Sequence, residues 1–247
     1  MRKFRADLHI HSVLSPCGGL EMSPSAVVAR LQELGIQWFA ITDHNSMGNC
    51  AVYEAVARKA GLFFSWGVEI QTMEEIHLLA YFDDSDQAQA FDQELYRSLL
   101  PIDNDPEFFG DQVIIDENEN ILRVEPRALI NSSVWDLGTA AEQVCAFGGL
   151  AVPAHIDADV NSIISQLGFL PPSPNFELLG ITAKLNLPEY LDQHPELADK
   201  AFIRASDAHY LTDLGHGSCI MKVQEATAQE ILLAARKLDG RYIENDT

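Results

Sequence analysis

Residues 4–11, Phe4-Arg5-Ala6-Asp7-Leu8-His9-Ile10-His11, are the stretch of sequence that most strongly decides the fold. Apolar and polar side chains alternate along it, which predicts a strand with one buried face. Because strand side chains repeat every two residues, we expect His9 and His11 to point to the same face. Two adjacent imidazoles make a poor core pair but a good chelate, so the end of this strand is a candidate metal site.

Outside this stretch, strand and helix patterns alternate along most of the chain. Caps and apolar periodicity predict the helices, and short runs of branched and aromatic residues predict the strands. Predicted strands cover residues 37–42, 62–68, 76–82, 150–154, 176–182, 202–206 and 218–223, and predicted helices cover residues 24–35, 46–59, 86–100, 137–147, 159–167, 188–200 and 227–238. This order is typical of parallel strands joined by right-handed crossovers, and it predicts an α/β barrel.

One segment, about residues 101–135, interrupts the alternation. Within it, residues 112–124 hold two β-rich runs around a polar turn, which predicts a hairpin. The segment is too short for a core of its own, so we expect an insertion within a single domain covering residues 1–247. It could cover the mouth of the barrel or simply decorate the surface.

The overall composition and the net charge limit the classes of protein to which this chain can belong. A chain of 247 residues with 47% hydrophobic and 21% charged residues is typical of a soluble globular protein. No apolar run approaches the roughly 18 residues that a membrane span needs, and no signal segment follows the first charges, so we expect a cytoplasmic protein. The net charge of −21 makes long nucleic acid a disfavoured partner. The oligomeric state stays open.

Residues with metal-ligand chemistry concentrate at or just after predicted strand ends. The candidates are His9, His11, Cys17, His44, Glu69, His77, His155, Asp207 and His209. A lone histidine at a strand end is more often a hydrogen-bonded structural residue, but this combination favours a multinuclear metal site. The carboxyl ends of the strands are where an α/β barrel builds its site. His77 is the exception, because it lies near the start of a predicted strand.

These residues also carry a family resemblance. The set Asp7-x-His9-x-His11, Thr42-Asp43-His44-Asn45, Glu69, His77, His155 and Asp207-x-His209 resembles the PHP (polymerase and histidinol phosphatase) family, from residue 7 to about residue 223. The resemblance implies a distorted (β/α)7 TIM-like barrel with a trinuclear site for zinc, manganese or iron. The family includes small-molecule phosphatases, 5′–3′ exonucleases and polymerase-associated domains.

The resemblance further implies how three divalent metal ions would share the ligands. One ion would take His9, His11, Glu69 and Asp207, a second would share Glu69 and add His77 and His155, and the third would take His44, His209 and a loop ligand that is usually His or Asp. Cys17 occupies that loop here, which is a departure from the family pattern. Its thiolate would favour zinc or iron at the third position, unless Cys17 is a bystander and water completes the site.

A cluster of divalent ions predicts hydrolysis, since no redox step is needed. A hydroxide bridging the ions would attack phosphorus in line. Asp207 and His209 are the candidate catalytic residues for protonating the leaving group, and Asp43 is expected to orient neighbouring imidazoles. Lys184 and Arg127 are the candidate cations for binding the substrate phosphate, although each is more often a solvated surface charge.

The predicted function is therefore metal-dependent hydrolysis of a small phosphomonoester. Three alternatives remain: a 5′–3′ exonuclease acting on short oligonucleotides, an amidohydrolase, and a non-catalytic scaffold domain with structural metals. The family resemblance alone favours the exonuclease, and the nearly complete ligand set argues against the scaffold. A structural site would leave no open coordination position for water.

Overall fold

The computed structural model describes residues 1–246, and in it strands and helices alternate from the first strand onward. The strands are β1 Arg2–Asp7, β2 Trp38–Ile41, β3 Phe63–Gln71, β4 His77–Phe82, β5 Val113–Ile115, β6 Ile121–Val124, β7 Leu150–Pro153, β8 Leu178–Ile181, β9 Ala201–Arg204, β10 Cys219–Val223 and β11 Tyr242–Asn245. The helices are α1 Pro24–Glu33, α2 Cys50–Ala60, α3 Ser85–Ser98, α4 Pro106–Phe109, α5 Leu137–Ala146, α6 Ile163–Leu167, α7 Leu187–Gln193 and α8 Ala228–Ala235, with 3₁₀ turns at Pro195–Leu197 and Leu238–Gly240.

The strands form a curled sheet that closes on itself. Seven of them pair in the order β11-β10-β1-β2-β3-β4-β7, and β8 and β9 form a separate parallel pair. A backbone hydrogen bond from Ile156 to Gly180, 2.9 Å long, links the end of β7 to β8. After β9, Ala208 bridges Ile10 and its carbonyl accepts from the amide of His11 at 2.9 Å. These contacts confirm the predicted distorted TIM-like barrel.

The expectation that all strands run parallel was wrong at β4 and β10. Strand β4 runs antiparallel to both β3 and β7, and β10 runs antiparallel to β1. Only Thr72–Ile76 separates β3 from β4, which is too short for a helical crossover and leaves a hairpin. The reversal pairs Gln71 at the end of β3 with His77 at the start of β4. His77 therefore lies at the same edge as the ligands that follow the parallel strands.

Helices pack on the sheet through their apolar faces, and their ends carry residues that commonly begin or end helices. Ser23 precedes Pro24 at the first turn of α1, and Val27, Val28 and Leu31 of that helix are buried. The core has two parts, one between sheet and helices and one drawn from strands around the barrel. Fully buried side chains such as Trp38 contribute on the order of 2 kcal/mol each to the free energy of unfolding.

The insertion lies against the loops at the carboxyl edge of the barrel. The predicted hairpin is present as β5 and β6, and the short helix α4 precedes it unpredicted. The amide of Val113 donates to the carbonyl of Val13 at 3.1 Å, in the loop after β1. The side chain of Asn49, after β2, donates to the carbonyl of Val113 and accepts from the amide of Ile115. The insertion is thus anchored beside the predicted ligands.

None of the helices in residues 1–246 combines the length and the apolar character that crossing a membrane requires.

Candidate metal centre

The barrel brings the predicted ligands together at one edge. His9 and His11 follow β1, His44 follows β2, Glu69 lies near the end of β3, His77 begins β4, His155 follows β7, and Asp207 and His209 follow β9. Three groups have donor atoms that all lie within 4.8 Å of one another: His9 with His11 and Glu69, His11 with His44 and His209, and His44 with Glu69 and His77. Among the described residues, Cys17 belongs to none of these groups.

Glu69 is the centre of the cluster. Nitrogen atoms of five imidazoles lie near its carboxylate: His77 Nδ1 at 3.0 Å, His9 Nε2 and His155 Nε2 at 3.2 Å from Oε1, His44 Nδ1 at 3.1 Å and His11 Nε2 at 3.4 Å from Oε2. Burial would raise the pKa of Glu69, but the surrounding imidazoles, His77 and His9 foremost, hold it well below its usual range. The group is therefore a carboxylate.

Asp207 closes the cluster from the opposite side. Its Oδ1 lies 3.2 Å from Nε2 of both His9 and His11. Burial acts to raise the pKa of Asp207, but the two imidazoles outweigh it and lower that pKa below its ordinary value. His209 Nδ1 lies 2.9 Å from the carbonyl of Asp207, so a neutral ring that donates there keeps the lone pair of Nε2 for a metal bond. The ring of His209 stacks on that of His11 with centroids 4.1 Å apart.

Cys17 lies at the exposed side of the cluster, beside His44 and His209. Burial of its sulfur acts to raise the pKa, but contacts with His209 and His44 lower the pKa of the thiol to about 6. The same contact raises the pKa of His209 to about 9, against the effect of its burial. A thiolate is therefore accessible to Cys17 at neutral pH, as a ligand requires. Its ligand role stays a prediction.

The residues fit divalent metal ions on their own geometry. His44 Nδ1 is buried and has no hydrogen-bond partner, although Glu69 Oε2 is close by. The Nε2 atoms of His9 and His11 face each other at 3.2 Å. Imidazole nitrogens and carboxylates that converge in this way form a ligand set for zinc, iron or manganese.

Three residues that the sequence did not single out position the imidazoles. Ser15 Oγ lies 2.9 Å from His11 Nδ1 and donates to Asp43 Oδ1 at 2.7 Å, so Asp43 reaches His11 through Ser15. His77 Nε2 lies 3.2 Å from Gln71 Oε1 and 3.1 Å from the side-chain amide of Asn161. Such contacts fix ring orientation and tautomer. Ser15 and Asn161 lie in loops, which give no periodic signal, whereas Gln71 lies two residues after Glu69 on β3, a spacing that places both side chains on one face.

Backbone strain is concentrated at the same edge. His155 and Asp207 have positive φ angles of 25° and 52°, and Asn45, next to His44, has a φ of 51°. Residues other than glycine adopt this region at a cost, and they keep it where the surrounding structure requires a particular direction of the side chain. Here His155 directs Nε2 to Glu69, and Asp207 directs Oδ1 to His9 and His11.

The two cations predicted to bind phosphate have other surroundings. The guanidinium of Arg127 donates to the carbonyls of Tyr96 and Leu99 at the end of α3 and lies 4.3 Å from the centroid of the Tyr96 ring. Lys184 lies just beyond β8, where it lines a cavity of about 540 Å³ together with Arg204. Neither is within the histidine cluster, and a phosphate role for either stays a prediction.

Solved structures with a similar fold include two of endonuclease Q. The lesion-specific endonuclease from Pyrococcus furiosus has a TM-score of 0.74 at 18% identity, and the match covers 98% of this chain and 58% of that one. Endonuclease Q bound to duplex DNA with an abasic lesion has a TM-score of 0.72 at 18% identity and the same coverage. This chain therefore spans little more than half the length of those proteins.

A third similar structure is a two-domain protein from Bacteroides vulgatus that contains a predicted PHP-like metal-dependent phosphoesterase. Its TM-score is 0.58 at 17% identity, and the match covers 99% of this chain and 65% of that chain. No curated protein matches the sequence.

A barrel with imidazoles and carboxylates gathered at the carboxyl edge of its strands defines the class of metal-dependent hydrolases. Residues 7–128 match the PHP domain model, a segment that holds six of the nine ligand candidates, from His9 to His77. This match identifies a PHP domain in residues 7–128 of the chain.

Proposed function

We propose that the protein is a metal-dependent phosphoesterase that hydrolyses a small phosphomonoester. The observation that carries this proposal is the buried carboxylate of Glu69, which is within reach of five imidazoles and has no lysine or arginine partner among residues 1–246. Divalent ions are the charges that such a pocket can accept. Phosphate esters are substrates whose charge those ions complement.

The proposal assigns distinct tasks to the residues of the cluster. His9, His11, His44, Glu69, His77, His155, Asp207 and His209 would hold up to three divalent ions, with Cys17 as a further ligand. When bound, these ions supply the positive charge that activates water and neutralises the phosphate oxygens. Ser15 and Gln71 keep the rings of His11 and His77 turned towards Glu69.

Asp207 and His209 remain the candidates for handling the proton of the leaving group. Their side chains are 35% and 24% exposed, whereas that of Glu69 is 1% exposed. A group that protonates a departing alcohol must reach the side from which the alcohol leaves. Of the eight clustered residues, Glu69 included, these two are best placed to do so.

A 5′–3′ exonuclease acting on short oligonucleotides is the second candidate. It is supported by the likeness of the fold to endonuclease Q, which is solved with duplex DNA. The net charge of −21 argues against long polyanions, which are repelled unless basic residues neutralise them. We therefore rank the phosphomonoester first.

The test is metal content and turnover on the same preparations. Wild type and Cys17→Ala are loaded with zinc, iron or manganese, analysed by plasma mass spectrometry, and assayed on a panel of phosphomonoesters and short oligonucleotides. The proposal expects close to three ions per chain and release of inorganic phosphate from a monoester. Fewer than one ion without turnover would contradict it, and release of mononucleotides alone would favour the nuclease. Loss of one ion in Cys17→Ala would make Cys17 a ligand.

A further inference from the structure

Buried polar side chains join the hairpin of the insertion to the candidate metal centre. Asn49, Ser12, Asp43 and Ser15 lie between strand β5 of the hairpin and His11, and each of the four is fully buried. Every link between consecutive members is a hydrogen bond of 3.0 Å or less. We term these four residues the polar network. Because they are shielded from solvent, their donors and acceptors have to be matched within the protein.

The backbone of β5 fixes the orientation of the Asn49 side-chain amide. Its Oδ1 accepts from the amide of Ile115 at 3.1 Å, and its Nδ2 donates to the carbonyl of Val113 at 3.0 Å. The opposite orientation would bring oxygen against a carbonyl and nitrogen against an amide N–H. The other hydrogen of Nδ2 is donated to Ser12 Oγ, also at 3.0 Å.

That donation determines the direction of the Ser12 hydroxyl. Ser12 Oγ also accepts from the amide of Leu14 at 3.1 Å, so two donors occupy its lone pairs. Its single hydrogen is donated to Asp43 Oδ2 at 2.6 Å, and the amide of Ser12 donates to Asp43 Oδ1 at the same distance. As a carboxylate, Asp43 can only accept, and it does so at both oxygens.

The direction of the Ser15 hydroxyl follows from its contact with Asp43. Ser15 Oγ donates to Asp43 Oδ1 at 2.7 Å and accepts from the amide of His44 at 3.2 Å. With its hydrogen on the carboxylate, Ser15 Oγ can only accept from His11 Nδ1, which is 2.9 Å away. A neutral His11 that donates from Nδ1 keeps the lone pair of Nε2, the atom that faces Glu69. A metal ligand needs this tautomer.

We propose that strand β5 of the insertion contributes to metal binding, because it sets the direction of the hydrogen bonds that hold His11 as a ligand. Asn49 is a positioning residue that acts on His11 through the rest of the polar network. This inference rests on the metal centre of the proposed function and adds a role for the insertion. That role requires no contact between the insertion and a substrate.

The experiment compares Asn49→Leu with a variant that loosens the insertion elsewhere. Gln112→Leu is the matched control, since the Gln112 amide is also fully buried and also holds the insertion, through three backbone groups of residues 125–129. Zinc occupancy is measured against a chelator that buffers free Zn²⁺, and cobalt(II) replaces zinc for visible spectra, which report ligand geometry. We expect Asn49→Leu to raise the free Zn²⁺ at half occupancy about tenfold and to shift the cobalt bands. Gln112→Leu should leave both unchanged.

Ser15→Ala interrupts the polar network at its other end. It removes the acceptor of His11 without altering the hairpin, and we expect the free Zn²⁺ at half occupancy to rise about a hundredfold. Adding Asn49→Leu to Ser15→Ala should cause little further loss, because both substitutions act through the same hydrogen bonds. Ser12→Ala keeps both contacts of Asn49 with β5 and replaces Asn49→Leu in this comparison if that variant fails to fold.

The outcomes separate this inference from the proposed function, since none of these measurements uses a substrate. Zinc binding without hydrolysis of any phosphomonoester would contradict the proposed function alone. Equal losses of zinc affinity in Asn49→Leu and Gln112→Leu would overturn the inference. Additive losses in the double variant, or an unchanged cobalt spectrum in Asn49→Leu, would also overturn it.

Discussion

Two buried glutamates in this barrel are neutralised in opposite ways. Glu230 in α8 receives two hydrogen bonds from the guanidinium of Arg241, at 2.8 and 2.9 Å, and a third from the amide of Gln224 at 2.8 Å. Glu69 is surrounded by imidazoles, which carry charge only when protonated. The charge of Glu230 is thus matched permanently within the chain, whereas that of Glu69 must be matched by protons or by bound ions.

The difference shows which buried charge is balanced by the chain itself and which one needs a ligand. In the bidentate pair of Glu230 and Arg241 the two charges balance each other without a ligand, so the pair contributes to stability. The carboxylate of Glu69 and the imidazole nitrogens around it lack a positive charge between them, so this group contributes to metal binding. Substitutions that are chemically identical at the two positions should therefore have separate consequences.

The largest effect is expected for Glu69→Gln. The amide keeps the volume of the side chain but removes the charge that the imidazoles and the metal ions share. We expect the rate of phosphomonoester hydrolysis to fall about a thousandfold, with loss of most of the bound metal. Plasma mass spectrometry and a phosphate-release assay on the same sample test this. Full metal content with an unchanged rate would show that Glu69 is only a structural residue.

The same change at Glu230 should spare activity and reduce stability. In Glu230→Gln the guanidinium of Arg241, which is 6% exposed, is left without its carboxylate. Losing the carboxylate should lower the free energy of unfolding, although Asp239 Oδ2 still lies 3.5 Å from Arg241 Nη1. Urea denaturation measures that loss, and metal content and turnover should stay within about twofold of wild type. A loss of metal here would mean that the two regions are coupled.

Chelation should distinguish the two regions without a further substitution. Each ion held at about a hundred times its dissociation constant adds roughly 2.7 kcal/mol to the free energy of unfolding. We expect EDTA to lower the Tm of wild type and of Glu230→Gln by about 5 °C or more. The Tm of Glu69→Gln should respond little, because that variant has little metal to lose. An equal shift in all three, read by calorimetry, would contradict the comparison.

Asp92 is a half-buried carboxylate that has neither an arginine pair nor a cluster of imidazoles around it. It accepts a hydrogen bond from the amide of Met47 at 2.7 Å, and burial raises its pKa to about 6. Because the folded pKa exceeds the unfolded value near 4, the folded state binds the proton more tightly, and the stability this adds is lost as pH rises through 6. Lowering the pH from 7 to 4 should stabilise chelated wild type relative to Asp92→Asn by about 2 kcal/mol. Urea titrations at both pH values test it, and a constant difference would refute it.

Much of the fold could be predicted because its signals are local. The alternation of periodic segments predicted the barrel, and all the ligand candidates but His77 were expected at or after strand ends; the structure gathers seven of the candidates around Glu69. The direction of β4 was missed, since periodicity describes the faces of a strand but not its partner. The short connection Thr72–Ile76 was the signal for a hairpin, and it explains His77.

Other features were beyond a pattern-based prediction. Strand β11 is short, and its pairing with β10 depends on contacts that its own sequence does not encode. The positions of Ser15 and Asn161 beside the imidazoles depend on loop geometry, which carries no period. The close packing of Gly110 on Pro16 is likewise a tertiary contact, and it alone places α4 next to Cys17.

The closure of the barrel between Ile10 and Ala208 makes the site a product of the whole chain. The amide of Ser206 donates to Asp7 Oδ1 across 199 positions of sequence, and Asp207 faces His9 and His11 only once that contact exists. During synthesis, which proceeds from the amino terminus at about 5–20 residues per second, the first imidazoles emerge roughly ten seconds or more before the last ligands. A nascent chain can therefore present only some of the metal ligands. Full metal occupancy of the site would then show that the chain has completed its folding.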